Sequence, residues 1–236
     1  MEKEAAAAYG TGKVELVHDD FLHFADSMED NSIDLVFTDP PYELVSGGMK
    51  RGRLLYRGGE IFKNGGFQTK QIEFAAWIPE IYRILREERY FYVMSNDRNL
   101  FRINEVCLDS GFQFCELLVL DKKMAVPSSY YPKRAEFILM YRKGGYRKAH
   151  FTGSTVIEAR MPRGKGKRHP TEKPVPMIKH LVECSTLEDE VCFDPFMGSG
   201  TTGEACIRAG RRFVGVEIEK KWFRASQERM MEAGYG

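Results

Sequence analysis

Two short runs in this chain hold residue types that could do chemistry side by side. Asp39-Pro40-Pro41-Tyr42 sets a carboxylate, a backbone stiffened by consecutive prolines and an aromatic ring directly after the apolar run Ile33-Asp34-Leu35-Val36-Phe37. With each residue type near 5% average usage, a chosen tetrapeptide arises by chance in a chain this long with a probability on the order of 0.001. The second run, Asp194-Pro195-Phe196-Met197-Gly198-Ser199-Gly200-Thr201-Thr202, follows the apolar Val191-Cys192-Phe193. Its glycines permit a tight turn that a ligand can approach closely. The exposed N–H groups of a helix starting there favour a carboxylate or phosphate. Glu217 ends the next apolar run, Phe213-Val214-Gly215-Val216, where an acid accepts hydrogen bonds from ribose hydroxyls. The ligand expected is a nucleoside-containing cofactor. The same residues would also serve plainer ends, a glycine turn and a proline-rich turn with a surface tyrosine, and a short Gly-x-Gly alone does not choose between them.

The elements that must position these runs read as alternating strands and helices. Val14–Val17, Ile33–Phe37, Tyr90–Met94, Val191–Phe193 and Phe213–Val216 are short and mostly apolar on both faces, the pattern of a parallel sheet covered on both sides. Between them, Ile78, Ile81, Tyr82 and Leu85 recur at helical spacing over 74–86, with Pro79 predicting a regular helix that starts near it. Pro174 and Pro176 introduce a helix with Ile178, Leu181 and Val182 on one face. A further helix stops at Gly210, and an amphipathic one runs through Trp222, Ala225 and Met230. Phe114–Leu120 and Glu136–Tyr141 predict two strands that pair antiparallel at an edge. The expectation is a doubly wound α/β fold, a mostly parallel sheet with helices on both faces and an edge hairpin. It forms one domain over residues 1–236, with 43–70 and 142–168 as inserted basic loops.

Composition agrees with one full core: 236 residues, 43% hydrophobic and 12% aromatic, exclude a chain that is disordered throughout. No apolar stretch is long enough to span a membrane, and the start lacks the pattern of a secretory signal, so a cytoplasmic protein is expected. Cys107, Cys115, Cys184, Cys192 and Cys206 form an odd set without a CxxC pair, which predicts reduced core thiols and no metal site. The formal net charge of +1 hides a strong asymmetry. Between Arg142 and Arg168 nine basic residues face Glu158 alone. Between Glu43 and Lys70 six face Glu43 and Glu60. The rest of the chain is acidic, and basic segments on an acidic body suit a polyanionic partner.

Taken together, the motifs resemble the S-adenosylmethionine-dependent DNA amino-methyltransferases of β-class order, in which the catalytic half precedes the cofactor half. Asp39-Pro40-Pro41-Tyr42 is similar to the family's catalytic motif, Phe196-Met197-Gly198-Ser199-Gly200 to its cofactor loop, Glu217 to its ribose-binding acid, and His169-Pro170-Thr171-Glu172-Lys173-Pro174 to the motif upstream of that loop. The resemblance implies a Rossmann-like methyltransferase fold. It further implies that Asp194 with Thr171 or Lys173 holds the methionine end of S-adenosylmethionine, that Ser199 and Thr201 belong to the cofactor turn, and that Asp20 and Phe21 lie near the cofactor adenine.

The implied reaction explains the residue types. An adenine N6 lone pair is delocalised into the ring. Two acceptors aimed at the amine hydrogens, the Asp39 carboxylate and the Pro40 carbonyl on a backbone fixed by Pro41, would localise it. Tyr42 would stack on a base flipped out of the duplex. No metal is required. Phosphate contacts are expected from Lys50, Arg51, Arg53 and Arg57 and from Arg160, Arg163, Lys165, Lys167 and Arg168. The reading is thus an adenine-N6 DNA methyltransferase of the restriction-modification kind acting on double-stranded DNA. Competing readings are cytosine-N4 methylation, an RNA substrate, and a catalytically silent DNA-binding protein on the same scaffold. Asp at position 39 favours adenine within the family. A dinucleotide oxidoreductase fits less well, because the loop is not GxGxxG. Only about 25 residues separate Lys143 from His169, where relatives often carry a larger recognition segment, so recognition is expected to be compact or shared with a second subunit in a homodimer.

Overall fold

A computed structural model describes residues 7–10, 12–41, 49–50, 53–54, 72–127, 130–147, 150–162, 168 and 172–234, the strands 7–10, 49–50 and 53–54 as backbone alone. The strands are β1 (Ala7–Gly10), β2 (Val14–His18), β3 (Ile33–Thr38), β4 (Met49–Lys50), β5 (Arg53–Leu54), β6 (Leu85–Ser95), β7 (Gln113–Val126), β8 (Lys133–Arg142), β9 (Val156–Glu158), β10 (Val191–Asp194) and β11 (Arg212–Val216). The helices are α1 (Phe21–Ala25), α2 (Phe74–Ile84), α3 (Leu100–Asp109), α4 (Val175–Ser185), α5 (Thr201–Arg208) and α6 (Lys220–Glu232). Nine strands form one sheet in the order β1-β2-β11-β10-β3-β6-β8-β7-β9, while β4 and β5 pair with each other.

The five central strands, β2, β11, β10, β3 and β6, are mutually parallel, as their two-sided apolar character predicts. Every residue of β3 is buried. Two apolar layers cover the sheet. One gathers α4, α5 and α6 residues such as Ile178, Val182, Cys206 and Met230, and the other α1, α2 and α3 residues such as Phe21, Trp77, Ile81 and Ile103. β3 leads through α2 to β6 on one side, and β10 leads through α5 to β11 on the other. The chain therefore reverses its winding direction between β3 and β10, which is where open α/β sheets bind ligands.

Three expectations are corrected. The helix at Pro79 begins five residues earlier, at Phe74. Pro79 lacks only the bond its nitrogen would make to Ala75, and both residues are exposed, so water can satisfy that carbonyl. The β7–β8 pair is antiparallel as expected but is not the edge, since β9 adds outside β7 in parallel. The basic segment 142–168 is accordingly not a loop throughout. Arg142 ends β8, Val156–Glu158 is β9, and the Lys143 ammonium lies inside, donating to Asn31 Oδ1 and to the carbonyls of Tyr82 and Leu85, each at 2.8 Å. All five cysteines are free thiols. Among the described residues no helix is long and apolar enough to cross a membrane.

Candidate functional site

The reversal point brings the two chemistry-bearing runs together. Thr38, the last residue of β3, donates its hydroxyl to Asp194 Oδ1 at 2.8 Å, which ties the end of β3 to the end of β10. Asp194 then organises its own turn: Oδ1 accepts the Phe196 N–H at 3.0 Å and Oδ2 the Thr202 hydroxyl at 2.6 Å. All of these donors are neutral. Burial, with the charge of Asp39 adding to it, pushes the Asp194 carboxyl up to about 6.

The glycine turn is shaped by close contact rather than by flexibility. Gly200 sits at φ +79° just before α5, and a Cβ there would come 2.9 Å from that of Ser226 on α6. The Met197 N–H reaches the Val216 carbonyl at 3.0 Å, and the Gly198 N–H reaches Glu217 Oε2 at 3.0 Å. Glu217 also accepts the Glu219 N–H at 2.7 Å, and burial raises its carboxyl to about 7. Ser199 and Thr201 are buried within the turn, and Phe196 packs edge-on against Trp77, with ring centroids 5.1 Å apart. Asp20 is the N-cap of α1, its Oδ1 accepting the Leu22 N–H at 2.9 Å, and Phe21 is buried against Phe193 and Phe196.

Asp39 follows β3 directly, with buried Pro40 and half-buried Pro41 after it. Its Oδ2 lies 2.9 Å from the Lys173 ammonium, whose other anionic partner is Glu136 Oε2, also at 2.9 Å. Lys122 approaches the second oxygen of Glu136 at 3.3 Å. Burial works against the charge on Lys173, but Asp39 and Glu136 outweigh it and hold the group above its ordinary value. Glu136 is likewise opposed by burial, and Lys173 and Lys122 keep it below the usual carboxylate range. Lys173, expected at the methionine end of the cofactor, therefore bridges the acid after β3 to the β8 strand. It still lines the cleft between the strand ends, together with Asp39, Asp194, Phe196, Gly198 and Ser199.

A second buried cation holds the glycine turn from behind. Arg229 of α6 donates to the Ser199 carbonyl at 2.7 Å, to Glu204 at 2.6 Å and to Glu172 at 2.7 Å. Glu172 also accepts the Arg168 N–H at 2.7 Å, and the Arg168 side chain pairs with Glu232. Arg160 is exposed, whereas Arg147, in the same basic segment, pairs with Glu190 at 2.9 Å. Tyr42, Arg51, Arg57, Arg163, Lys165, Lys167 and Thr171 lie outside the described residues, as do the side chains of Lys50 and Arg53. Glu136, Thr38 and Arg229 were not singled out from sequence. Thr38 adjoins Asp39 and could have been, but a single charge inside an apolar strand or helix reads as a solvated face.

The donor set suits a cationic nucleoside ligand. Two buried carboxylates held by neutral donors, Asp194 and Glu217, would both gain from positive charge or hydroxyl donors beside them, and the turn between them offers backbone at close range. Among the described residues, no group of three or more His, Cys, Asp or Glu is arranged to hold a metal ion.

Comparison with known proteins gives the same picture. Residues 33–228 match the model of the N6/N4 methyltransferase family, described as DNA methylase. The type II methyltransferase M2.DpnII of Streptococcus pneumoniae is 27% identical over 252 aligned positions, spanning 94% of this chain and 91% of its own length. M2.LlaDCHI of Lactococcus lactis subsp. cremoris is 28% identical with the same coverage. Among solved structures, PvuII DNA methyltransferase, described as cytosine-N4-specific, superposes with a TM-score of 0.72 at 18% identity, covering 95% of this chain and 92% of that one. The complex of M1.HpyAVI with SAM gives 0.71 at 22% identity, covering 92% and 98%. Likeness at that level of identity speaks to the fold.

Proposed function

The chain belongs to the N6/N4 DNA methylase family, and on that premise we propose that it transfers a methyl group from S-adenosylmethionine to the N6 amine of adenine in double-stranded DNA. The observation that carries the reading is the placement of Asp39, engaged by Lys173, across one cleft from the turn between Asp194 and Glu217. When bound, S-adenosylmethionine supplies an electrophilic methyl group on its sulfonium. Asp39 accepts a hydrogen bond from the amine and so concentrates its lone pair on nitrogen. Pro40 offers a backbone carbonyl for the second amine hydrogen, and Tyr42 a face for the flipped base. Glu217 takes the ribose hydroxyls, and Asp194 fixes the turn and faces the positive end of the methionine part. Arg160, Arg168 and the basic residues of 43–70 and 163–167 meet the phosphates. Asp rather than Ser at position 39 favours adenine over cytosine.

The test is chemical. The protein is incubated with methyl-labelled S-adenosylmethionine and unmethylated DNA, and the DNA is digested to nucleosides. N6-methyldeoxyadenosine is the expected product. N4-methyldeoxycytidine would overturn the choice of base, and the absence of labelled nucleoside would overturn the activity.

A further inference from the structure

The β7–β8 pair does not stop where its neighbours stop. The β6–β8 ladder ends at Ser95 opposite Phe137, and the β7–β9 ladder at Asp121 opposite Glu158, yet β7 and β8 run on: their register breaks after Asp121 opposite Ala135, and Val126 then pairs with Lys133. They therefore continue as a two-stranded arm beyond the sheet. Thr38 is level with Val93 across the parallel β3–β6 ladder, so the arm leaves from the same end of the sheet as Asp39. Its base is tied to that acid through Glu136 and Lys173.

The arm is braced by ion pairs and carries aromatic rings at its tip. Arg134 grips Asp121 with two nitrogens, and Lys133 pairs with Asp97 at 2.8 Å. At the far end Tyr130 and Tyr131 are 92% and 87% exposed, with Met124 also exposed. Lys122, Lys123, Lys133 and Arg134 line the arm, each paired with an acid: Glu136, Asp121 with Glu158, Asp97, and Asp121 respectively. The major groove of B-DNA is about 12 Å wide and admits a two-stranded ribbon. Adjacent exposed aromatic rings are the means by which proteins stack on unpaired bases.

We propose that this arm is a DNA-reading ribbon, entering the duplex beside the flipped base and stacking Tyr130 and Tyr131 on bases that flipping uncovers. It would supply compactly the recognition that the short 143–169 connection leaves little room for. The inference rests on the proposed DNA methylation, and two readouts keep their failures apart. Methyl transfer from labelled S-adenosylmethionine to unmethylated plasmid DNA gives KM and kcat. Fluorescence anisotropy with a labelled duplex gives binding without turnover. Replacing both tyrosines (Tyr130→Ala with Tyr131→Ala) should raise KM for DNA and weaken duplex binding at least about tenfold. S-adenosylmethionine affinity and the melting temperature should stay unchanged, and Phe at both positions should restore near-normal values. Unchanged KM and duplex affinity in the alanine pair would overturn the proposal. So would a change in oligomeric state with DNA binding intact, which would assign the arm to contact between copies. If the unaltered protein transfers no methyl group, the activity fails, and anisotropy still decides the arm: weakened binding supports it and equal binding overturns it.

Discussion

Asp39 and Asp194 end neighbouring parallel strands of one sheet, yet their surroundings are opposite. The acid after β3 is paired with a buried ammonium, itself anchored by a second carboxylate on β8. The acid ending β10 is enclosed by two hydroxyls and one backbone N–H, all neutral. Identical residue types at equivalent strand ends thus come to different electrostatic states. Positive charge already stands beside Asp39, whereas at Asp194 and Glu217 burial, with neighbouring carboxylates adding to it, pushes both carboxyls upward. Under the proposed function the difference suits a division of labour, one end presenting to the amine an acceptor already paired with an ammonium and the other facing the cation that the cofactor would bring.

The sharpest way to break this contrast is at Asp39. Asp39→Ala should lower kcat by at least about a thousandfold, since it removes the acceptor proposed to localise the amine lone pair. Binding of S-adenosylmethionine, measured by calorimetry, should change little, because Asp194 and Glu217 are untouched. Appreciable turnover in the variant, or loss of cofactor binding with it, would erase the distinction between the two ends.

The opposite end is probed through Arg229. Arg229→Ala would leave Glu172 and Glu204 as acids without their shared buried cation and would release the Ser199 carbonyl, at a cost of about 3–5 kcal/mol in unfolding free energy. Denaturant unfolding should show that loss, and the remaining folded protein should bind the cofactor more weakly. A cost below about 1 kcal/mol would mean that the turn holds its shape without α6.

A smaller effect separates the ends by pH. Glu217, raised from 4.5 to about 7, binds more protons folded than unfolded, so its contribution to stability is fully present below about pH 4.5 and is lost as pH rises to 7. Under the proposed ribose-binding role, cofactor affinity should run the other way, tightening several-fold between pH 6 and 8 as the Glu217 carboxylate ionises. Glu217→Gln should flatten both curves. An affinity that is level across this range in the unaltered protein would remove Glu217 from the cofactor site.

How much of this was legible in the sequence depends on how each residue signals. The central strands announced themselves as short apolar runs, and Asp39, Asp194 and Glu217 stood out because each ends such a run, two of them beside prolines or glycines. β1, Ala7–Gly10, has no such run and exists by pairing with β2. α1 is five residues capped by Asp20, β9 is three residues added to β7, and α3 buries only Ile103, Val106 and Cys107. None of these offers a period long enough to read. Glu136 and Arg229 escaped for a different reason: their roles come from partners 37 and 57 residues away, and no local pattern encodes such a pairing.

That distance makes Glu136 the finest test of the comparison. It touches neither end of the cleft directly, and its link to the site is the ammonium it shares with Asp39. Glu136→Gln keeps the shape and an acceptor oxygen but removes one of the two anions that sustain the charge on Lys173. With burial then opposed by Asp39 alone, Lys173 should lose its proton at lower pH than before, and the alkaline limb of the pH–rate profile should move down with it. At neutral pH the expected loss in kcat is only about three- to tenfold, the scale of one weakened hydrogen bond to a charged group. Cofactor affinity should be unaltered, because Asp194 and Glu217 do not depend on β8. A purely structural Glu136 would change the melting temperature and leave the alkaline limb in place; a Glu136 that positions Lys173 against Asp39 must move it.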